Sequence, residues 1–150
     1  MEFKYDVVVR WFREYFDSYN KYAQNPATVD KMSAYFAPDM VFKPYVAALG
    51  KGVTSRAEFY RILAGHPSAY EQFTPEEFVV DERRRSVVVL LKAEVFDSAT
   101  KKSLFAKRYL PYYQMGFDAG GDLKITNIHF FWEELPHGAL DVHTAFNGQR

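Results

Sequence analysis

Apolar positions near the start of the chain recur at helical spacing. Val8, Trp11, Phe12, Tyr15, Phe16 and Tyr19 fall at i, i+3, i+4, i+7, i+8 and i+11, a single stripe. Arg10, Arg13, Glu14, Asp17 and Lys21 take the opposite side. "AQNPAT" breaks this helix, and Thr28 is placed to cap a second one that turns Val29, Met32, Ser33 and Phe36 inward and stops at "APD". A short strand is expected from about Met40. Ser55 and Glu58 have capping-box spacing, so a third helix opens there, buries Phe59, Ile62 and Leu63, and ends at "GHP".

Beyond Pro67 the period shortens to that of strands. "EEFVVDERRRSVVVLLKAEVFD" predicts two strands joined by a charged turn near Glu82 to Arg85, with Leu91, Ala93 and Val95 inside and Lys92 and Glu94 outside. "DSATKK" leads into "SLFAKRYLPYYQMGF", and "DAGGD" into "LKITNIHFFWEEL". Turns this short join antiparallel neighbours. Helices followed by a strand meander imply an α+β fold with helices packed on one sheet face.

The other face is apolar too. In the last strand Ile128, Phe130 and Trp132 share one parity, and Ile125, Asn127, His129 and Phe131 the other. A sheet wet on one side does not read this way, so a second copy of the chain is expected to cover the outer face as a homodimer.

Composition changes this picture at one point. Phe (14), Tyr (11) and Trp (2) make up 18% of the chain, and every buried tyrosine hydroxyl needs a partner. The count implies a partly polar cavity or a tyrosine-rich interface. Nineteen basic residues balance nineteen acidic ones, which gives no electrostatic basis for binding nucleic acid or an anionic membrane surface. The absence of cysteine excludes disulfides and thiolate chemistry. The charged start does not fit a signal peptide, no apolar run reaches membrane-spanning length, and a cytoplasmic location is the expectation. At 150 residues one domain is expected, residues 1–150, with 136–150 lacking periodicity and read as a tail or arm.

The element order, with "AYFAPDMVF" after two helices and a meander ending "FFWEEL", resembles the nuclear transport factor 2-like superfamily, and within it the SnoaL-like and ketosteroid-isomerase-like branch. The resemblance runs from about Val7 to Leu135. It implies a cone-shaped roll: a strongly curved, mostly antiparallel sheet, with the helices closing a pocket for a hydrophobic small molecule. Such folds host isomerases, dehydratases, polyketide cyclases, epoxide hydrolases and binding modules alike.

Carried over residue by residue, the general-base aspartate of ketosteroid isomerases falls on Lys43 or Pro44, and their second pocket acid falls on Tyr113. The oxyanion-hole tyrosine has its counterpart in Tyr15 or Tyr19. Trp132 matches a tryptophan of the last strand. The resemblance thus implies a pocket lined by Tyr19, Tyr45, Leu91, Ala93, Val95, Tyr109, Ile128, Phe130 and Trp132, without the family's proton-shuttling carboxylates. Catalysis, if it occurs, falls to Tyr113, Tyr15 and Lys43. The tyrosines are able to polarise a carbonyl or simply to fill the cone. A desolvated Lys43 suits base or Schiff-base chemistry, whereas a lysine before a proline equally marks a strand end at the pocket rim.

No histidine pair has metal spacing, and no phosphate loop, nucleophile elbow or dinucleotide fingerprint is present, so no metal or cofactor is expected. Two function classes remain: a cofactor-free isomerase, cyclase or dehydratase, and a non-catalytic small-molecule binder or dimeric interaction module.

Overall fold

Three hairpin turns built in one way set the register of the sheet. Asp81, Asp97 and Asp118 stand at strand ends, and each Oδ1 accepts two backbone N–H groups of the turn that follows. Left-handed residues complete these turns: Arg85 (φ 53°), Lys101 (φ 61°) and Gly121 (φ 85°). The aspartates supply the local acceptor that makes such turns cheap.

The computed structural model describes residues 2–44 and 52–131. Helix α1 (Tyr5–Tyr22) is followed by a 3-10 helix (Val29–Tyr35), strand β1 (Phe36–Pro44) and helix α2 (Arg56–Leu63). Strands β2 (Ala69–Asp81), β3 (Ser86–Asp97), β4 (Ser103–Phe117) and β5 (Leu123–Phe131) complete an α+β fold, three helices packed on a mostly antiparallel five-stranded sheet. The strand order is β1-β5-β4-β3-β2. β1 pairs with β5 in parallel, Phe42 opposite Ile128 and Pro44 opposite Phe130. No helix among the described residues is long and apolar enough to cross a membrane.

α1 lays its stripe across the inner sheet face. Phe12 meets Tyr113 with ring centroids 4.8 Å apart, and Phe16 meets Phe73 at 6.2 Å. Val8, Phe12, Tyr15, Phe16 and Tyr19 are all buried. At the helix end the Asn20 side chain bonds both polar groups of the Phe73 backbone, which ties α1 to the edge strand β2. Half of the expected capping box forms in α2: Ser55 Oγ accepts from the Glu58 N–H at 3.2 Å, while the Glu58 carboxylate accepts from the N–H of Thr54, one residue before the cap.

Four expectations need correction. The second helix is a short 3-10 helix; Thr28 stands at its N-cap position as expected, but its Oγ1 donates to the Tyr22 carbonyl and makes no side-chain cap. Phe36, though buried, belongs to β1, which begins earlier than Met40. β2 begins at Ala69, well before Glu76, and a register shift between Pro75 and Glu77 absorbs the proline. A register shift in the β4–β5 ladder puts Ile125 on the buried side with Ile128, not on the outer face.

The outer face carries exposed apolar side chains at one end and the cross-strand neighbours Lys92 and Arg108 farther along, with Arg108 paired to Glu76. Leu110 and Phe131 are cross-strand partners and remain 49% and 42% exposed. Beside them, Tyr112 packs on its partner His129 with ring centroids 5.6 Å apart.

Candidate functional site

Between α1, α2 and the inner sheet face lies a cavity of about 180 Å³. Its walls are packed aromatic pairs: Tyr19 on Phe73 (4.5 Å between centroids), Phe42 on Phe59 (4.9 Å) and Tyr109 on Phe130 (5.1 Å). Tyr15 and Tyr19 lie one helical turn apart on the buried side of α1, and Tyr113 faces them from β4.

The phenols of Tyr15 and Tyr113 interact with each other, and burial raises both above the ordinary tyrosine range. They therefore stay protonated and act as hydrogen-bond donors, not as bases. Tyr19 is raised first by burial and then by the neighbouring Glu71 carboxylate. Gln24 Nε2 donates to the Tyr19 hydroxyl at 3.4 Å, while Gln24 Oε1 is buried without a partner among the described residues.

Glu71 is the one carboxylate among the described residues that line the cavity. It shares a strand face with Phe73, opposite Val95, and burial alone pushes its carboxyl up to about 7. No hydrogen bond or ion pair holds it among the described residues. A carboxyl so placed exchanges a proton near neutrality, the property wanted of a general acid or base. His66, exposed just after α2, borders the same cavity.

The predicted residues divide. Tyr15, Tyr19, Tyr109, Tyr113, Ile128 and Phe130 all line the cavity. Leu91, Ala93 and Val95 are buried but are not among the lining residues; Leu91 stands opposite Tyr109 and Ala93 opposite Phe73, in the sheet behind them. Lys43 is exposed and of opposite parity to the buried Phe42 and Pro44, so its side chain leaves the sheet on the face away from the cavity. Base or Schiff-base chemistry by Lys43 inside the cavity has no geometric support. Tyr45 and Trp132 lie outside the described residues.

Glu71 and Gln24 escaped the sequence reading. "SAYEQFTP" resembles a loop because of Pro75, yet the alternation of Ala69, Glu71 and Phe73 carries a strand period that exposes the acid. A pocket without a carboxylate was the expectation, and β2 supplies one at another position.

A second recess, of about 430 Å³, lies beside β1 and the β4–β5 hairpin. Its cations are already engaged: Arg56 by the carbonyls of Ser33 and Phe36, Lys124 by that of Ala34 and by Asp118. Its carboxylates, Asp39 and Asp118, are exposed, unlike Glu71 in the aromatic cavity.

No protein-family model matches the chain, and no curated protein matches it in sequence. Solved structures do match in shape. The fold is that of the nuclear transport factor 2-like proteins. AusH from Aspergillus nidulans is similar at a TM-score of 0.65 and 15% identity, over 98% of this chain and 99% of that one. SalBIII, described as an epoxide hydrolase/cyclase-like enzyme in pyran ring formation in the polyether salinomycin, matches at a TM-score of 0.58 and 18% identity, over 81% of this chain and 87% of its own. A nuclear transport factor 2-like protein of unknown function from Burkholderia pseudomallei matches at a TM-score of 0.62 and 15% identity, over 83% of this chain and 89% of its own. At these identities the likeness concerns the fold alone.

Proposed function

We propose that this chain binds a hydrophobic, oxygen-bearing small molecule in the aromatic cavity and moves a proton on it without a cofactor, as an isomerase, cyclase or dehydratase. The observation that carries this reading is Glu71: a carboxyl held near neutrality by burial, in the same cavity as the Tyr15–Tyr113 pair. Glu71 as carboxylate removes a proton beside a carbonyl, the Tyr15–Tyr113 pair turns its one free O–H to the oxygen as charge develops on it while the second phenol supports the first, and protonated Glu71 returns the proton to carbon. The cyclase class draws support from the fold shared with SalBIII.

The test is deuterium exchange into the α-carbon of a cyclic ketone in heavy water, followed by NMR. The wild type accelerates exchange, and Glu71→Gln lowers the rate by at least about 100-fold. Ketone binding with no acceleration of exchange sinks the catalytic reading in favour of a binding module. That alternative has its own support in the strongly raised phenols of Tyr15 and Tyr113, which do not titrate near neutrality.

A cytoplasmic homodimer is the proposed form. Its support is the adjacent pair Leu110 and Phe131, exposed on the outer sheet face.

A further inference from the structure

We infer that the ligand is a single six-membered ring carrying a carbonyl at one end and a hydroxyl at the opposite end, with Gln24 as the residue that selects the hydroxyl. This names the substrate class for the proposed proton transfer and rests on that reading of the cavity.

Size sets the first limit. An engineered cavity of about 150 Å³ holds a benzene ring, and the cavity here is about 180 Å³. One ring with small substituents fits. A second fused ring has to displace one of the aromatic pairs Tyr19–Phe73, Phe42–Phe59 or Tyr109–Phe130, whose rings already pack on one another. Interiors packed at this density yield to added volume only at a cost.

Polarity sets the second limit. Among the described lining residues two hydrogen-bonded pairs form polar stations, beside the Glu71 carboxyl, the Tyr109 phenol and His66; the rest are aromatic or aliphatic. One is the Tyr15–Tyr113 pair, its ring centroids 6.1 Å apart and one phenol bonded to the other, which keeps one O–H for an acceptor oxygen. The other is Gln24 bonded to the Tyr19 hydroxyl, which leaves Glu71 as the base of the proposed transfer and part of neither station. Tyr15 and Tyr19 are four residues apart on α1 and their ring centroids lie 6.3 Å apart, which sets the spacing of the two stations. Opposite substituents of a six-membered ring span a comparable distance.

Direction sets the third. Gln24 spends its donor on Tyr19 and leaves Oε1 buried without a partner among the described residues. Such an acceptor is costly until a donor reaches it, and a ligand hydroxyl supplies one. A site built to hydrogen-bond a hydroxyl discriminates strongly against the analogue lacking it.

Three probes test this by calorimetric titration: cyclohexanone, 4-hydroxycyclohexanone and the fused two-ring 2-decalone. We expect 4-hydroxycyclohexanone to bind about tenfold more tightly than cyclohexanone, and 2-decalone about tenfold more weakly. In Gln24→Leu the hydroxyl preference falls to about twofold or less. The wild-type ratios are informative whether or not that variant folds. Equal binding of the two monocyclic ketones, a preference retained in Gln24→Leu, or tight binding of 2-decalone overturns the inference. Those results leave the deuterium-exchange test of the proton-transfer reading untouched. Failure of all three ketones to bind overturns both.

Discussion

The side chain of Asn20 donates to the Phe73 carbonyl at 2.8 Å and accepts from the Phe73 N–H at 2.7 Å. It occupies the place of a neighbouring strand at the free edge of β2 and fixes the segment that carries Glu71. Replacing Asn20 by Ala leaves a donor and an acceptor of a buried residue unpaired. We expect a loss of about 1–3 kcal/mol, read from urea unfolding. Asn20→Asp, which keeps the acceptor and loses the donor, should fall between Asn20→Ala and the wild type.

Glu71 makes stability depend on pH in a direction opposite to that of a salt-bridged acid. Its carboxyl is raised in the folded state, to about 7 from an ordinary 4.5. Between those values the folded chain holds a proton that the unfolded chain has released, so stability falls as pH rises through this window and levels off above about 7. Glu71→Gln removes that slope. Urea midpoints near pH 5 and pH 8 should converge in the variant, which gains up to about 3 kcal/mol relative to wild type on the alkaline side. A slope identical in both proteins excludes Glu71 as its source.

Activity should follow the reverse course. The base form of Glu71 accumulates as pH rises, so the exchange rate on a cyclic ketone should climb through about pH 7 and then plateau. A rate that falls through this range, or one that ignores it, identifies another group as the base.

Tyr113→Phe removes one hydroxyl of the Tyr15–Tyr113 pair while keeping the ring that packs on Phe12 at 4.8 Å. The exchange rate should drop by about 100-fold or more, with thermal stability changed little. A loss of similar size in ketone affinity alone, with the bound rate unaltered, assigns the hydroxyl to binding.

Leu110→Glu places a charge beside exposed Phe131 on the outer sheet face. Sedimentation should find the wild type at twice the chain mass and the variant at the mass of one chain, with the same far-ultraviolet spectrum. A wild type that sediments as one chain ends the dimer proposal.

Much of the frame was legible because it rests on period and local chemistry. The α1 stripe, the Ser55–Glu58 cap and the "DERRR" turn are short-range signals that tertiary context only reinforces. What escaped depends on features remote from those signals. Pro75 argues against a strand until a register shift excuses it, and this hid Glu71. A second register shift moved Ile125 to the buried face. Lys43 was readable only as a choice between two roles, because the face on which it leaves β1 is set by the parallel partner β5, far along the chain. Gln24 stands in a turn without periodicity, and only the folded neighbourhood of Tyr19 gives it a task.

The parallel pairing of β1 with β5 bears on the order of folding. Hairpins β2–β3, β3–β4 and β4–β5 close over short turns, whereas Phe42 meets Ile128 only after most of the described chain has been arranged between them. Contacts of such sequence separation form late and slow the search. The wall made by Phe42 and Phe130 should therefore be the last part of the cavity to assemble, which leaves that side open to water until β1 pairs with β5. Chaperone dependence or aggregation during refolding, where it occurs, should trace to that gap, and a ligand able to bridge it should speed the closing step.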